Sequence, residues 1–295
     1  MLSQESIISV RQLVKRFDSR TVLAGVDLEV MPGEIMVVMG GSGSGKSTLL
    51  RHMIGALRPD EGSVMLLGRD LSEVDEDGMN RLRRQFGILF QSGALFQSMT
   101  VAENVALPLQ EHTTLDQNII DIQVKIKLEL VGLREHATKY PAQISGGMKK
   151  RAGLARALAL DPKILFYDEP SAGLDPVTSA GIDKLIIDLT RKLGVTSVVV
   201  THEMDSAFAI ADRMAMLDKG RMLVVAERSY FEDLRDRPAD GLCEDKATVR
   251  QFVRGDAEGP ITQRREVTNY AEALIGLPEP RLSSEPSVQP TRIAK

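Results

Sequence analysis

The stretch Gly40-Gly41-Ser42-Gly43-Ser44-Gly45-Lys46-Ser47-Thr48 restricts what this chain can fold into more than any other. It fits the pattern G-x-x-x-x-G-K-[ST], in which glycines let successive backbone N–H groups converge on phosphate oxygens. A lysine at this point, here Lys46, reaches the outer phosphates of a nucleoside triphosphate, and the hydroxyl that follows, here Ser47, ligates Mg²⁺. The ligand's charge then rests on a helix N-terminus. Such a loop needs a strand before it and a helix after it, and both are legible. Ile35 to Met39 is an unbroken apolar run suited to a strand buried on both faces, and Thr48 to Ile54 reads as helix.

Composition narrows the class. With 295 residues and 43% hydrophobic content the chain can bury a large core. A net charge of -4 gives no global pull toward nucleic acid, and the short basic clusters Arg81 to Arg84 and Lys149 to Arg151 read as solvated helix faces. Cys243 is the single cysteine, which excludes an internal disulfide and a cysteine-rich metal site; a reducing cytoplasm is expected. No charged-then-apolar signal segment opens the chain, and apolar runs such as Ile164 to Tyr167 fall far short of the ~20 residues that cross a bilayer. A membrane role therefore has to be borrowed from a partner.

Along the chain, Ile7 to Val30 alternates in strand fashion, with Val26, Leu28 and Val30 on one side and Asp27 and Glu29 on the other. Gly62 to Leu67 and Phe86 to Phe90 read as further strands around a polar, Arg-rich helix. Residues 92–160 look mostly helical. Thr100 to Glu103 has capping-box form, and Asp116 to Val131 places Ile119, Ile122, Ile126 and Leu130 near one helix face. Lys163 to Tyr167 and Val195 to Thr201 bracket a helix built on Ile182, Leu185, Ile186, Leu189 and Leu193 that stops at Gly194, which makes a β-α-β unit with parallel strands. After Val225 the pattern weakens, and from Asp256 a proline-rich stretch with few large apolar residues cannot close its own core.

The remaining chemistry clusters at strand ends. Ile164 to Tyr167 runs into Asp168-Glu169, where one acid can hold Mg²⁺ and its neighbour can take a proton from attacking water. Gln91 follows one strand and can reach the metal or the lytic water; His202 follows another and can donate to the γ-phosphate. In open parallel sheets ligands bind at that edge. Ser145-Gly146-Gly147-Met148 opens a further helix, Lys149 to Leu160, and reads either as an ordinary serine N-cap or as a second anion site.

Taken in order, these elements resemble the ATP-binding cassette (ABC) ATPases: phosphate loop Gly40 to Thr48, Q-loop Gln91, signature Ser145 to Met148, Walker B Ile164 to Asp168 with Glu169, D-loop Ser171 to Asp175, and switch His202. The likeness spans residues 5–250. It implies an α/β P-loop NTPase core with an antiparallel β subdomain and a helical subdomain, about 92–160, inserted in it, followed by a tail, 256–295. It implies ATP and Mg²⁺ as cofactors, with Ser47, Gln91 and Asp168 on the metal. Lys46, Gln91, Glu169 and His202 would act in hydrolysis, and Gly40, Gly41, Ser42, Gly43, Ser44, Gly45, Ser47, Thr48, Ser145, Gly146, Gly147 and Asp175 would contact nucleotide. Phe17 stands where the family places an adenine-stacking aromatic, its alternative being a core residue of an early strand. Met148 replaces the usual Gln, and a thioether cannot make an amide's hydrogen bonds.

Each motif occurs once, so the resemblance implies a head-to-tail homodimer in which the loop of one protomer and the signature helix of the other enclose each ATP. Tyr140 to Met148, Phe90 to Phe96 and Val249 to Gly255 are similar to the Mla/Mkl-type, MCE-associated lipid-transport branch. That branch implies a peripheral ATPase on the cytoplasmic face of the inner membrane, docked under a lipid permease through Gln91 to Met99, with an MCE-domain lipid-binding protein and a small STAS-domain protein as partners. The tail is then either an arm gripping the neighbouring subunit or a disordered appendage. Rival readings are another ABC importer or exporter, a nucleotide-gated clamp on DNA or ribosomes, and a binding switch without turnover.

Overall fold

The computed structural model describes residues 5–262. The expectation for the tail beyond 262 lies outside them.

The chain opens with an antiparallel hairpin, β1 (Ile8–Phe17) and β2 (Arg20–Val30). Val26, Leu28 and Val30 are buried and Asp27 and Glu29 exposed, as alternation requires. A turn leads into β3 (Ile35–Met39), buried at every position, and then into α1 (Lys46–Met53). The chain returns to the first sheet with β4 (Glu61–Leu66) and the short β5 (Arg69–Asp70), giving the order β2-β1-β4-β5. Helix α2 (Glu76–Arg83) follows, capped by Asp75, and presents the clustered arginines to solvent as expected.

After β6 (Phe86–Leu89) come α3 (Val101–His112), α4 (Gln117–Leu130) and α5 (Gly146–Ala157). The capping box forms: Thr100 N–H donates to Glu103 Oε2 at 2.7 Å and Glu103 N–H to Thr100 Oγ1 at 3.2 Å. On α4 the stripe Ile119, Ile122, Ile126 and Leu130 does share a face, but it is the outward one, 37–51% exposed. The face that packs against α3 and α5 carries Ile120, Val124, Leu128 and the stem of Lys127. The two apolar stripes adjoin on the helix, and periodicity alone ranks neither first. Helix α5 begins three residues earlier than the sequence suggests, at Gly146, because the serine hydroxyl caps it there.

The rest of the core is β7 (Ile164–Asp168), α6 (Pro176–Leu193), β8 (Thr196–Thr201), α7 (Met204–Ile210), β9 (Arg213–Asp218) and β10 (Arg221–Glu227). Gly194 ends α6 with φ 68°, a left-handed position that glycine occupies without steric cost. Two helices, α8 (Arg228–Asp236) and α9 (Glu244–Arg254), occupy the region where the sequence pattern weakens. Each is polar apart from a narrow apolar contact, Phe231 and Leu234 on one, Val249 and Val253 on the other.

The second sheet has the order β10-β9-β3-β8-β7-β6, parallel except for β10. Its two faces are sorted residue by residue. Ile35, Val37, Met39, Leu165, Tyr167 and Val199 pack with the helices α3 to α9, while Met36, Val38, Ile164, Phe166, Val198 and Val200 pack with α1 and the antiparallel sheet. Burying each such side chain stabilises the fold by about 1.5–3 kcal/mol, which is why these strands read as continuous apolar runs. The register aligns Met39 with Thr201, Val200 with Asp168 and Tyr167 with Leu89, so four strands end together at one edge.

Candidate functional site

The phosphate loop leaves the end of β3 and enters α1 through two glycines where a side chain would be strained and crowded. Gly40 has φ 151°, and a Cβ there would lie 2.1 Å from Leu217 O; Gly45 has φ 110°, and a Cβ there would lie 2.8 Å from Leu23 Cδ2. Gly45 is the N-cap of α1 and offers no side-chain acceptor, so the first amides of that helix are left for a ligand. A cavity of about 260 Å³ lies on the loop, lined by Gly43, Gly45, Lys46, Ser47 and Thr48 and by Arg20 and Val22 of β2. The two β2 residues have no motif to mark them in the sequence.

Lys46 is buried and donates from Nζ to Gly40 O at 2.7 Å and Gly41 O at 3.0 Å. Burial pulls its pKa down, and the carboxylates of Glu169 and Asp168 push it back up. Asp168 is raised from the ordinary carboxylate value, first by burial and then by Glu169, against Arg51 and Lys46. Its Oδ1 is buried without a hydrogen-bond partner among the described residues, as is Ser44 Oγ in the loop. Those two orphans fit the chemistry of a magnesium triphosphate: a carboxylate oxygen could take a cation and a hydroxyl could bond phosphate. Three or more His, Cys, Asp or Glu side chains do not gather into a metal cluster among the described residues. A Mg²⁺ held largely by substrate phosphates needs only one or two protein carboxylates.

Next to Asp168, Glu169 turns the chain with φ 49°, an uncommon value for a residue with a side chain. Its N–H donates to Val200 O at 2.9 Å. Its carboxylate is largely buried, pairs with His202 Nδ1 at 2.9 Å and accepts from His202 N–H at 3.4 Å, while the His202 ring stands exposed. Thus Lys46, Asp168, Glu169 and His202 come together from three adjacent strand ends. Gln91 follows β6 on the same edge and is exposed. The loop after it is pinned from the helices: Arg156 of α5 donates to Ala94 O at 2.7 Å and Gly93 O at 3.2 Å, and the buried Asn104 amide of α3 bonds Phe96, Met99 and Thr100.

Ser145, Gly146 and Gly147 stand elsewhere, at the N-terminus of α5. Ser145 is exposed, and its Oγ accepts from Met148 N–H at 3.3 Å. A Cβ on Gly147 would lie 2.4 Å from Thr178 Cγ2, so the tip of α5 presses on the start of α6. Asp175 caps that helix, accepting from Val177 N–H and Thr178 N–H at 3.1 and 3.0 Å; the Thr178 hydroxyl, which donates to its other oxygen, and then these amides lower its pKa. Phe17 is 44% exposed at the hairpin end, which removes the core alternative, with Lys15 Nζ 5.5 Å from its ring centre. The cluster Lys149 to Arg151 is not the solvated face expected of it: Lys150 is buried.

The sequence profile described as "ABC transporter" matches residues 23–172. A relative from Mycobacterium leprae, named as a probable ribonucleotide transport ATP-binding protein mkl, is 42% identical over 91% of this chain and 75% of its own length. The intermembrane phospholipid transport system ATP-binding protein MlaF of Escherichia coli K12 is 38% identical over 92% of this chain and 98% of its own. Among solved structures, the dimeric ATP-binding cassette MJ0796, described in a post-hydrolysis state with ADP and Pi, superposes with a TM-score of 0.69 at 30% identity, covering 75% of this chain and 98% of that one.

Proposed function

This chain belongs to the ABC transporter family, and we propose that it acts as one half of an ATP-driven homodimer beneath a membrane permease that moves phospholipid. It is the ATP-binding, ATP-hydrolysing kind of subunit, and among the described residues no helix is long and apolar enough to cross a membrane. The observation that carries the catalytic reading is the meeting of Lys46, Asp168, Glu169 and His202 at one sheet edge, with the Glu169 carboxylate oriented by His202.

In this reading Lys46 trades its loop carbonyls for β- and γ-phosphate oxygens, and the amides of Gly41 to Thr48 complete the cradle. Ser47, Gln91 and Asp168 are the residues to hold Mg²⁺, which when bound neutralises charge on the phosphates. Glu169 accepts the proton of the attacking water; His202 fixes that carboxylate and stabilises charge on the γ-phosphate. Phe17 supports the adenine. Ser145, Gly146, Gly147 and Asp175 serve the nucleotide held by the partner's loop, a role supported by the exposure of Ser145, Gly146 and Asp175 and by the dimeric relative.

The phospholipid cargo rests on the MlaF relative, which this chain matches over nearly its whole length; the mkl relative is named for ribonucleotides and matches over less of its own. The remaining partners follow from the same branch: an MCE-domain protein, a small STAS-domain protein, and a permease reached from the cytoplasmic face through Gln91 to Met99. Glu169→Gln is expected to bind ATP, lose turnover by about 10²–10⁴-fold and hold the closed dimer. Near-normal hydrolysis would remove Glu169 from its role. Purification from membranes is expected to retain a permease and an MCE protein with phospholipid; a retained soluble solute-binding protein would overturn the cargo.

A further inference from the structure

Lys150 sits on α5 five residues after Ser145, and it points away from solvent, 5% exposed. Its Nζ donates to Glu169 O at 3.0 Å and to Ala172 O at 2.9 Å. Those two carbonyls bound the turn Glu169-Pro170-Ser171-Ala172, which is closed by Ala172 N–H donating to Glu169 O at 3.3 Å. Glu169 is therefore held at both ends, its carboxylate by His202 and its carbonyl by an ammonium from another helix. Between these holds the residue keeps its left-handed φ of 49°, a conformation that survives where surrounding contacts over-determine it. Burial lowers the pKa of Lys150, opposed by Glu203 and Glu169.

The same helix touches the segment after Glu169 at a second point, where Gly147 meets Thr178. The far side of that segment is anchored too, since Ser171 Oγ lies 3.3 Å from Ser206 Oγ, which donates to Asp183 Oδ2 at 2.6 Å. The tip of α5 and the backbone of Glu169 thus form one braced unit, with Lys150 as its only cationic strut among the hydrogen bonds of the described residues.

We propose that Lys150 is a positioning residue that ties the Ser145 tip of each protomer to the Glu169 of the same protomer, so that engagement of the partner's nucleotide by the tip sets the aim of the base. This rests on the roles given above to Glu169 and Ser145. It makes the two sites of a dimer communicate through one side chain: the tip works on the partner's ATP while the carbonyl it braces belongs to the protomer's own site. Displacements of about 1 Å at a catalytic group cost on the order of 100-fold in rate.

The test compares Lys150→Met, which keeps length and removes all donors, with Lys150→Gln, which keeps donors for the two carbonyls. For Lys150→Met a kcat about 10–100-fold lower is expected, with KM for ATP within twofold and a lower Hill coefficient in ATP than the parent dimer. Lys150→Gln is expected to recover most of the kcat. A Lys150→Met enzyme with kcat within twofold of the parent overturns the proposal, as does an equal loss in both variants accompanied by lost ATP binding. Glu169→Gln run in parallel separates the two readings: if it hydrolyses normally the base assignment fails, whereas if only it is impaired the strut fails alone.

Discussion

Helices α1 and α5 are both proposed to turn an N-terminus toward phosphate, yet α1 begins at a glycine with no side-chain acceptor and α5 begins at a serine whose hydroxyl already takes Met148 N–H. The first leaves its orphan amides open and adds a buried lysine beside them. The second has an amide satisfied within its own turn, and its buried cation, Lys150, is engaged by the carbonyls of Glu169 and Ala172. A helix end with free amides and a cation binds a polyanion by itself, whereas a self-capped end contributes only when something brings the anion to it. On the proposed reading, the difference lets one chain hold ATP at its own loop and respond to a partner through its Ser145 tip.

Three substitutions sharpen or break that contrast. Lys46→Ala should weaken ATP binding most, about 100-fold, because hydrogen bonds to charged groups contribute roughly 1.5–3 kcal/mol; titration of a fluorescent ATP analogue checks it, and unchanged affinity would mean α1 is not the dominant anion site. Gly45→Ala forces a Cβ within 2.8 Å of Leu23 Cδ2 at φ 110° and should cost about 2 kcal/mol in urea unfolding. A silent result there would mean that the loop can relax and that its open amides are not conformationally locked. Ser145→Ala should cost least, about 1 kcal/mol from the lost cap, while the isolated protomer's affinity for ATP stays as it was and ATP-driven dimerisation weakens. Loss of protomer affinity in that variant would place the tip in the wrong site.

What the sequence made legible follows the same division. Residues proposed to serve the nucleotide sit where backbone geometry is constrained, and so Gly40, Gly45, Lys46, Asp168, Glu169 and His202 appear in recognisable patterns at strand ends. Residues that position others have no such pattern. Lys150 lies in a short basic run that reads as solvated, and no sequence pattern marks Asn104 or Arg156, which hold the loop after Gln91. Helix α4 shows the limit of periodicity. Its stripes Ile119-Ile122-Ile126 and Ile120-Val124-Leu128 are both apolar, and only packing against α3 and α5 decides which is inside. Helices α8 and α9 were invisible because each buries only a few side chains on an otherwise polar surface.

The account stands on two copies of this chain sharing each ATP, the loop from one and the Ser145 tip from the other. Its most direct test mixes two defective chains in the Glu169→Gln background, one carrying Lys46→Ala and the other Ser145→Arg, and measures mass with ATP by analytical ultracentrifugation. Each chain alone should remain monomeric. The mixture should give an ATP-dependent heterodimer, because one of its two sites then combines an intact loop with an intact tip. Dimerisation of the Ser145→Arg chain by itself, or a mixture that stays monomeric, would contradict the shared site.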